Sequence, residues 1–218
     1  MIPHTDDGRV LFAIPWYQNV IVGTTDTPLK THSLEPRALR NEIDFVLSTA
    51  GKYLSKSPSK SDVLSVFAGL RPLAATDDNA EKTKEISRSH KVIISKSNLV
   101  SVIGGKWTTY RKMAEDTLSK IIEKRMLPFK KCVTEHLKIH GYKDVSGATD
   151  SLSVYGADKK EMFAMTKNDL SFSEILNEEP EIFIIQVIWA VRKEMARTVE
   201  DVLARRIRLL FIDARMAS

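Results

Sequence analysis

The chain of 218 residues contains a single cysteine. Cys132 can form no internal disulfide, and a fold without such a staple suits a reducing, cytoplasmic compartment. Long apolar runs are missing too. The longest, Ile182 to Val191, is interrupted by Gln186 and falls well short of the roughly 20 residues that carry a helix across a bilayer. Any membrane contact is therefore expected to be peripheral. The residues after Met1 show no basic, apolar, small-residue succession of the leader type. His136 and His140 lack a Cys, an Asp or a third His to complete a ligand set, and Gly141 argues against a helix there, so no metal site is expected. No basic strand interleaved with aromatics is present, which argues against nucleic acid as a partner. No Gly-x-Gly-x-x-Gly triplet occurs anywhere, so the turn that cradles a dinucleotide pyrophosphate is not in this sequence.

What is present begins with charge. Lys and Arg number 33 against 28 Asp and Glu, a net charge of +5. The excess lies in residues 1–157, and the remainder is close to neutral. Such a balance suits anionic substrates, lipid headgroups or nucleic acid, and equally a solvated lysine-rich surface. An apolar share of 43% is enough for a core, and the length allows one or two domains.

The most informative stretch is Ser101-Val102-Ile103-Gly104-Gly105-Lys106-Trp107-Thr108-Thr109-Tyr110-Arg111. An alternating apolar run stops at two glycines, and a strongly periodic helix follows, with a lysine and threonines at its start. That pattern reads as strand, tight turn and helix N-terminus. Such an end offers unpaired N–H groups and the positive end of the helix dipole, and glycines allow close approach of a flat ligand. The same residues also suit a plain structural turn whose lysine points to water.

Around it, Arg9 to Ile14 and Asn19 to Thr24 read as a hairpin, rich in β-branched and aromatic residues. A helix is expected from Glu35-Pro36, with Leu39, Ile43, Val46, Leu47, Ala50, Tyr53 and Leu54 as its core stripe. Asp62 to Ala68 reads as a strand that delivers Arg71, and Pro72 ends its ladder. A second hairpin pairs Lys91–Ser95 with Leu99–Ile103 across Lys96-Ser97-Asn98. The helix after Gly105 carries Tyr110, Met113, Thr117, Leu118, Ile121 and Ile122 on one face and closes before Pro128. A strand is expected at His136 to Ile139. Beyond Asp158 the pattern is helical: Lys159 to Lys167, then a helix from Pro180 whose segment Ile182–Val191 is apolar nearly all round, then one from Thr198 with Asp201 in a capping box. Arg206 falls on the apolar stripe of that last helix. Its expected partner is Glu194, although the guanidinium could also reach solvent along the stripe's margin.

Together with Phe12-Ala13-Ile14-Pro15-Trp16, Gly23-Thr24-Thr25-Asp26 and Ala68-Gly69-Leu70-Arg71-Pro72-Leu73, the Gly-Gly-Lys-x-Thr-Thr-Tyr-Arg stretch resembles the flavin-dependent glycerol-3-phosphate dehydrogenases. The end of the chain, Glu194 to Arg206, is similar to that family's helical C-terminal domain. The resemblance implies the C-terminal portion of such an enzyme, without the FAD-pyrophosphate turn, as from a split gene, an internal start or a truncated product. It implies oxidation of glycerol 3-phosphate to dihydroxyacetone phosphate, with electrons passed from FAD to quinone. Arg71 and Arg88 would clamp the substrate phosphate, for which the planar guanidinium fork is suited. Gly104, Gly105, Lys106, Thr108 and Thr109 would form the wall that meets the flavin. The family's catalytic histidine and a further substrate arginine belong to earlier segments, so no catalytic residue is assigned. For Arg88 a place on the surface of a hairpin stays open, for Trp107 simple packing, and for Asp26 a turn-forming role.

The expected fold is α+β: a mostly antiparallel sheet with flanking helices over residues 1–127, a connection over 128–149, and an all-α domain over 150–218. On this reading the chain alone is inactive and holds FAD weakly or not at all. Its partners would be glycerol 3-phosphate, quinone, the missing N-terminal half, a second copy in a homodimer, and the inner face of a membrane. Two alternatives stand beside it. One is the oxygen-using oxidase of the same family, and the other is a non-catalytic helical interaction or dimerisation module.

Overall fold

The computed structural model describes residues 1–6, 8–71, 89–144 and 150–218. The chain divides into two compact units: Met1–Thr25, Glu35–Ala68 and Ile139–Ser218 form the first, and Asp26–Leu34 with Gly69–Lys138 the second. Helices and small antiparallel ladders make the architecture α+β. Among the described residues the strands form three separate two-stranded ladders in place of one larger sheet.

In the first unit, β1 (Phe12–Trp16) pairs with β2 (Asn19–Gly23). Tyr17 takes a positive φ in the reversal between them. Ile2 and Leu11 bridge below this hairpin and are buried with Ala50 of α1 (Arg40–Gly51). The helix starts at Arg40, later than Glu35-Pro36, because the Glu42 carboxylate accepts the Leu39 N–H at 2.9 Å and caps it there. Its stripe is core only in part: Ala50 is buried, whereas Leu39, Tyr53 and Leu54 remain at least 40% exposed.

The expected strand at 62–68 does not form. A turn of 3-10 helix covers Lys60–Asp62, and the residues after it run irregularly beside α5 (Leu209–Ile212). Ser65 Oγ donates to the Leu210 carbonyl at 2.8 Å, Ala214 N–H donates to the Leu64 carbonyl at 3.1 Å, and the Phe67 and Phe211 rings lie 4.8 Å apart. The hydrogen bonds that a sheet neighbour would have made are thus partly made by the C-terminal segment.

The rest of this unit is built on α3 (Lys159–Asn168) and α4 (Ile184–Lys193). Residues 150–218 are not wholly helical: β5 (Ile175–Asn177) and β6 (Ile182–Phe183) form a short ladder. Pro180, expected to start a helix, instead lies in the turn of that ladder, where Asn177 Nδ2 donates to its carbonyl at 2.8 Å. The helix begins at Ile184, where Gln186 Oε1 accepts the Phe183 N–H at 2.9 Å. Ile185 and Trp189 bury one face of α4 against Leu152 and Met162, and Ile182 and Ala190 join Val202, Ile207 and Leu209 in a second cluster. Past it, a wide π-helical turn covers Asp201–Arg206. The expected box is present, with Asp201 N–H donating to Thr198 Oγ1 at 3.1 Å and Thr198 N–H donating to Asp201 Oδ2 at 3.0 Å. His136 to Ile139 is turn and loop, with no strand.

Arg206 meets Glu194 as the sequence led us to expect. Its guanidinium lies 3.5 Å from the Glu194 carboxylate and also donates to the Glu194 carbonyl through Nε, at 3.0 Å, and Nη2. Burial nevertheless pushes the Glu194 carboxyl above its ordinary value; Arg206 opposes this and Asp158 adds to it. A raised acid in the folded state binds its proton more tightly than in the unfolded chain, so stability is fullest below the unfolded value and is lost as pH rises through the folded one. Melting temperature is therefore expected to fall on this account from about pH 4.3 upward. Glu194→Gln should remove that component of the slope, and melting curves across this interval for both proteins would check it.

Candidate functional site

In the second unit, β3 (His90–Ile94) pairs with β4 (Val100–Gly104). The ladder sets His90 opposite Gly104 and Val92 opposite Val102. The observed pairing lies within a residue of the expected one, and Asn98 supplies the positive φ of the turn.

Two glycines follow in the left-handed region, Gly104 at φ +72° and Gly105 at φ +88°. They turn the chain directly from β4 into Lys106, which caps a 3-10 turn, Trp107–Thr109, continuous with α2 (Tyr110–Glu123). The Thr109 N–H and hydroxyl both donate to the Lys106 carbonyl at 3.0 Å, which fixes this entry. The amides at the head of the turn precede the first intrahelical bonds and have no intrahelical partners. Lys106, Thr108 and Thr109 are exposed, and Trp107 is 87% exposed, its ring tilted against that of Tyr110 at 5.8 Å between centroids. Among the described residues the Lys106 ammonium makes no ion pair. Gly104, Gly105, Lys106, Thr108 and Thr109 thus form one continuous turn that can present donors and a positive charge to an anionic or electron-rich ligand.

The other charged residues here are committed to one another. Arg111 Nη2 lies 2.8 Å from Glu115 Oε2, and Arg111 Nη1 also donates to Thr134 Oγ1 at 3.3 Å. The hydrogen bond from Arg111 holds the Glu115 carboxyl below its usual range. Arg111, the last residue of the motif, therefore fastens the segment around Thr134 to α2. Lys112 lies 2.9 Å from Asp116 Oδ1, and its hydrogen bond is the main reason Asp116 also sits low. Asp116 Oδ2 in turn is 3.0 Å from Nε2 of His90, a contact that no sequence spacing signals.

Arg71 belongs to the same unit. Its Nη1 lies 3.4 Å from Asp26 Oδ2, with the two side chains 38% and 22% exposed. Asp26 therefore does more than form a turn. Arg88 and Pro72 lie outside the described residues. No group of three His, Cys, Asp or Glu side chains among the described residues could hold a metal, and His140 pairs with Asp158 at 3.0 Å. No helix among them is long and apolar enough to cross a membrane.

Comparison with known proteins shows the family. Residues 98–218 match the family described as the C-terminal domain of alpha-glycerophosphate oxidase. The chain is 36% identical to the probable mitochondrial glycerol-3-phosphate dehydrogenase of Caenorhabditis elegans, over 97% of this chain and 32% of that protein. It is 36% identical to the mitochondrial glycerol-3-phosphate dehydrogenase of Homo sapiens, over 99% and 32% respectively. It spans about a third of the length of these relatives. Its fold is similar to that of the glycerol-3-phosphate dehydrogenase from Bacillus halodurans complexed with FAD, with a TM-score of 0.72 and 26% identity over 97% of this chain and 44% of that one. The matched span begins inside the β3–β4 hairpin and takes in the whole Gly-Gly-Lys turn, so the turn and the helices after it are shared: the chain belongs to the glycerol-3-phosphate dehydrogenase and alpha-glycerophosphate oxidase family and corresponds to its C-terminal portion.

Proposed function

We propose that this chain is the flavin-facing and phosphate-binding part of an FAD-dependent enzyme that oxidises glycerol 3-phosphate to dihydroxyacetone phosphate. The observation that carries this reading is the Gly104-Gly105-Lys106 turn at the head of α2, in a chain whose whole length resembles a relative complexed with FAD. The turn fits a flavin edge: its glycines carry no side chains, its first amides have no intrahelical partners, and Lys106 is exposed. When bound, the flavin would take a hydride from C2 of the substrate and pass the electrons on to quinone. The task of Lys106 is to hold positive charge where reduction leaves negative charge, while Thr108 and Thr109 offer hydroxyls beside it. Arg71 and Arg88 hold the substrate phosphate and so orient the C2–H bond.

The oxidase of the same family, which delivers electrons to oxygen, is favoured as a second reading by the description of the matching family. We extend the proposal to the functional division of the sequence, residues 1–127 flavin-facing, 128–149 connecting and 150–218 an added helical part. It extends also to a homodimer, and to peripheral contact with the inner face of a membrane, cytoplasmic or, as relatives' names have it, mitochondrial. Because the sequence has no Gly-x-Gly-x-x-Gly turn, the chain is expected to need an N-terminal portion to hold FAD.

Absorption near the flavin bands tests this, on the chain purified alone and after co-expression with the N-terminal portion of a relative. Colourless protein alone, and yellow protein that reduces a dye with glycerol 3-phosphate after co-expression, is the expected result. Stoichiometric FAD in the chain alone would contradict it. Colourless, inactive protein in both samples would favour a non-catalytic interaction module.

A further inference from the structure

His90 is the one histidine of the second unit's hairpin, and it touches the Gly104–Gly105 turn in two ways and α2 in a third. Its backbone stands opposite Gly104 in the ladder. Its Cβ lies against Gly105 so closely that a Cβ added to that glycine would sit 3.2 Å away, with Met113 of α2 at 2.5 Å on the same side. Its ring reaches across to α2, with Nε2 3.0 Å from Asp116 Oδ2. Asp116 is held below the usual carboxylate range, first by Lys112 and then by His90 itself. An ionised carboxylate only accepts, so Nε2 of His90 carries the proton of this bond.

We propose that His90 is a positioning residue: anchored to α2 through Asp116, it sets the height and direction of the Gly104–Gly105 turn and so of the donors that follow it. The functional meaning of that placement rests on the reading of the turn as the flavin-facing wall. Two glycines in succession have no side chains with which to define their own conformation, and their freedom has to be removed from outside. Met113 supplies one wall and His90 the other. The second attachment of the hairpin to the helix, Lys120 Nζ on the Val92 carbonyl at 2.8 Å, lies two residues further along β3 and leaves the turn end to His90. Lys112, which shares Asp116 with His90, keeps the carboxylate aimed at the ring.

The test compares His90→Leu, which keeps bulk and removes the donor, with His90→Gln, whose amide nitrogen can reach the place of Nε2. The readout is the backbone amide order parameter of the 15N-labelled chain. In the wild type Gly104 and Gly105 are expected near the rigid value of about 0.85, falling towards about 0.6 in the leucine variant and returning in the glutamine variant. Ser95 to Leu99, at the far end of the same hairpin, should not change. Unchanged glycines in His90→Leu would overturn the inference. So would an equal loss along the whole hairpin accompanied by a lower melting temperature, which is what a merely structural histidine gives, or a failure of glutamine to restore the turn. No flavin enters the measurement, so a colourless assembled enzyme would remove the reading of the turn as a flavin wall while leaving this result as it stands.

Discussion

Gly156→Ala is expected to cost about 3 kcal/mol of stability, a loss of roughly 6–12 °C in melting temperature for a chain of this size. Gly156 sits inside the 3-10 segment Ser153–Asp158 at φ 53°, ψ −122°, a region that side chains rarely enter. A Cβ there would fall inside van der Waals contact of the Gly141 carbonyl oxygen. That oxygen is not free to retreat, because it accepts the Ala157 N–H at 2.9 Å, and beside it His140 pairs with Asp158 at 3.0 Å. Moving it strains the two contacts that join residues 140–141 to the head of α3, next to Tyr155, which packs on the cluster of Leu152, Met162 and Trp189. The control is Gly141→Ala. Gly141 has φ +75°, but a Cβ on it would meet nothing nearer than 3.6 Å, so only the left-handed backbone penalty of about 1–2 kcal/mol applies. Melting curves of the two variants that coincide would show that close approach at Gly156 is not what holds this corner.

The same comparison shows what the sequence could and could not carry. Local signals were legible wherever neighbouring residues decide the conformation. Asn98 in the hairpin turn, the glycine pair, the Thr198–Asp201 box and the periodicity of Tyr110 to Ile122 all specify their structure within a few residues. Failures came where a distant segment decides. Val63 to Phe67 is a short apolar run broken only by Ser65, as suits a strand, but Ser65 and Phe67 find their partners in Leu210 and Phe211. Pro180 carries every mark of a helix start, yet Asn177 folds back onto its carbonyl and the helix waits for the Gln186 cap. The apolar stripe of α2 was readable as a stripe but not as an interior. None of its residues is buried, and Tyr110 and Leu118 are each at least half exposed.

For the site, composition and order were readable from the sequence, but commitment was not. Arg111 and Lys106 both belong to the motif and both carry a charge, and only the structure separates them: Arg111 is engaged by Glu115 and Thr134, while Lys106 stands exposed at the head of the turn. His90 and Asp116 are 26 residues apart, and no periodicity joins them. The i,i+4 spacing of Lys112 and Asp116 was visible on the helix, but it says nothing of a ring arriving from the strand.

In the enzyme assembled with an N-terminal portion, Arg71→Ala is expected to raise the KM for glycerol 3-phosphate roughly 10- to 150-fold, the equivalent of about 1.5–3 kcal/mol for a hydrogen bond to a charged group. The argument begins from its contact with Asp26. At 3.4 Å that pair is longer than the roughly 2.7–2.9 Å of a strong charge-assisted bond. A phosphate carries more charge than a carboxylate and can take both arms of the guanidinium fork. An interaction made with a phosphate remote from the reacting carbon is made in the ground state and kept in the transition state. The loss should therefore fall mainly on KM and on kcat/KM, with kcat changed far less. Arg71→Lys separates charge from shape: it should recover only part of the loss, because an ammonium replaces the charge but not the paired donors. Steady-state kinetics with glycerol 3-phosphate and with unphosphorylated glycerol decide the matter, since only the phosphorylated substrate can register the change. A KM within twofold of wild type for glycerol 3-phosphate would mean that Arg71 does not hold the phosphate, which is then bound elsewhere.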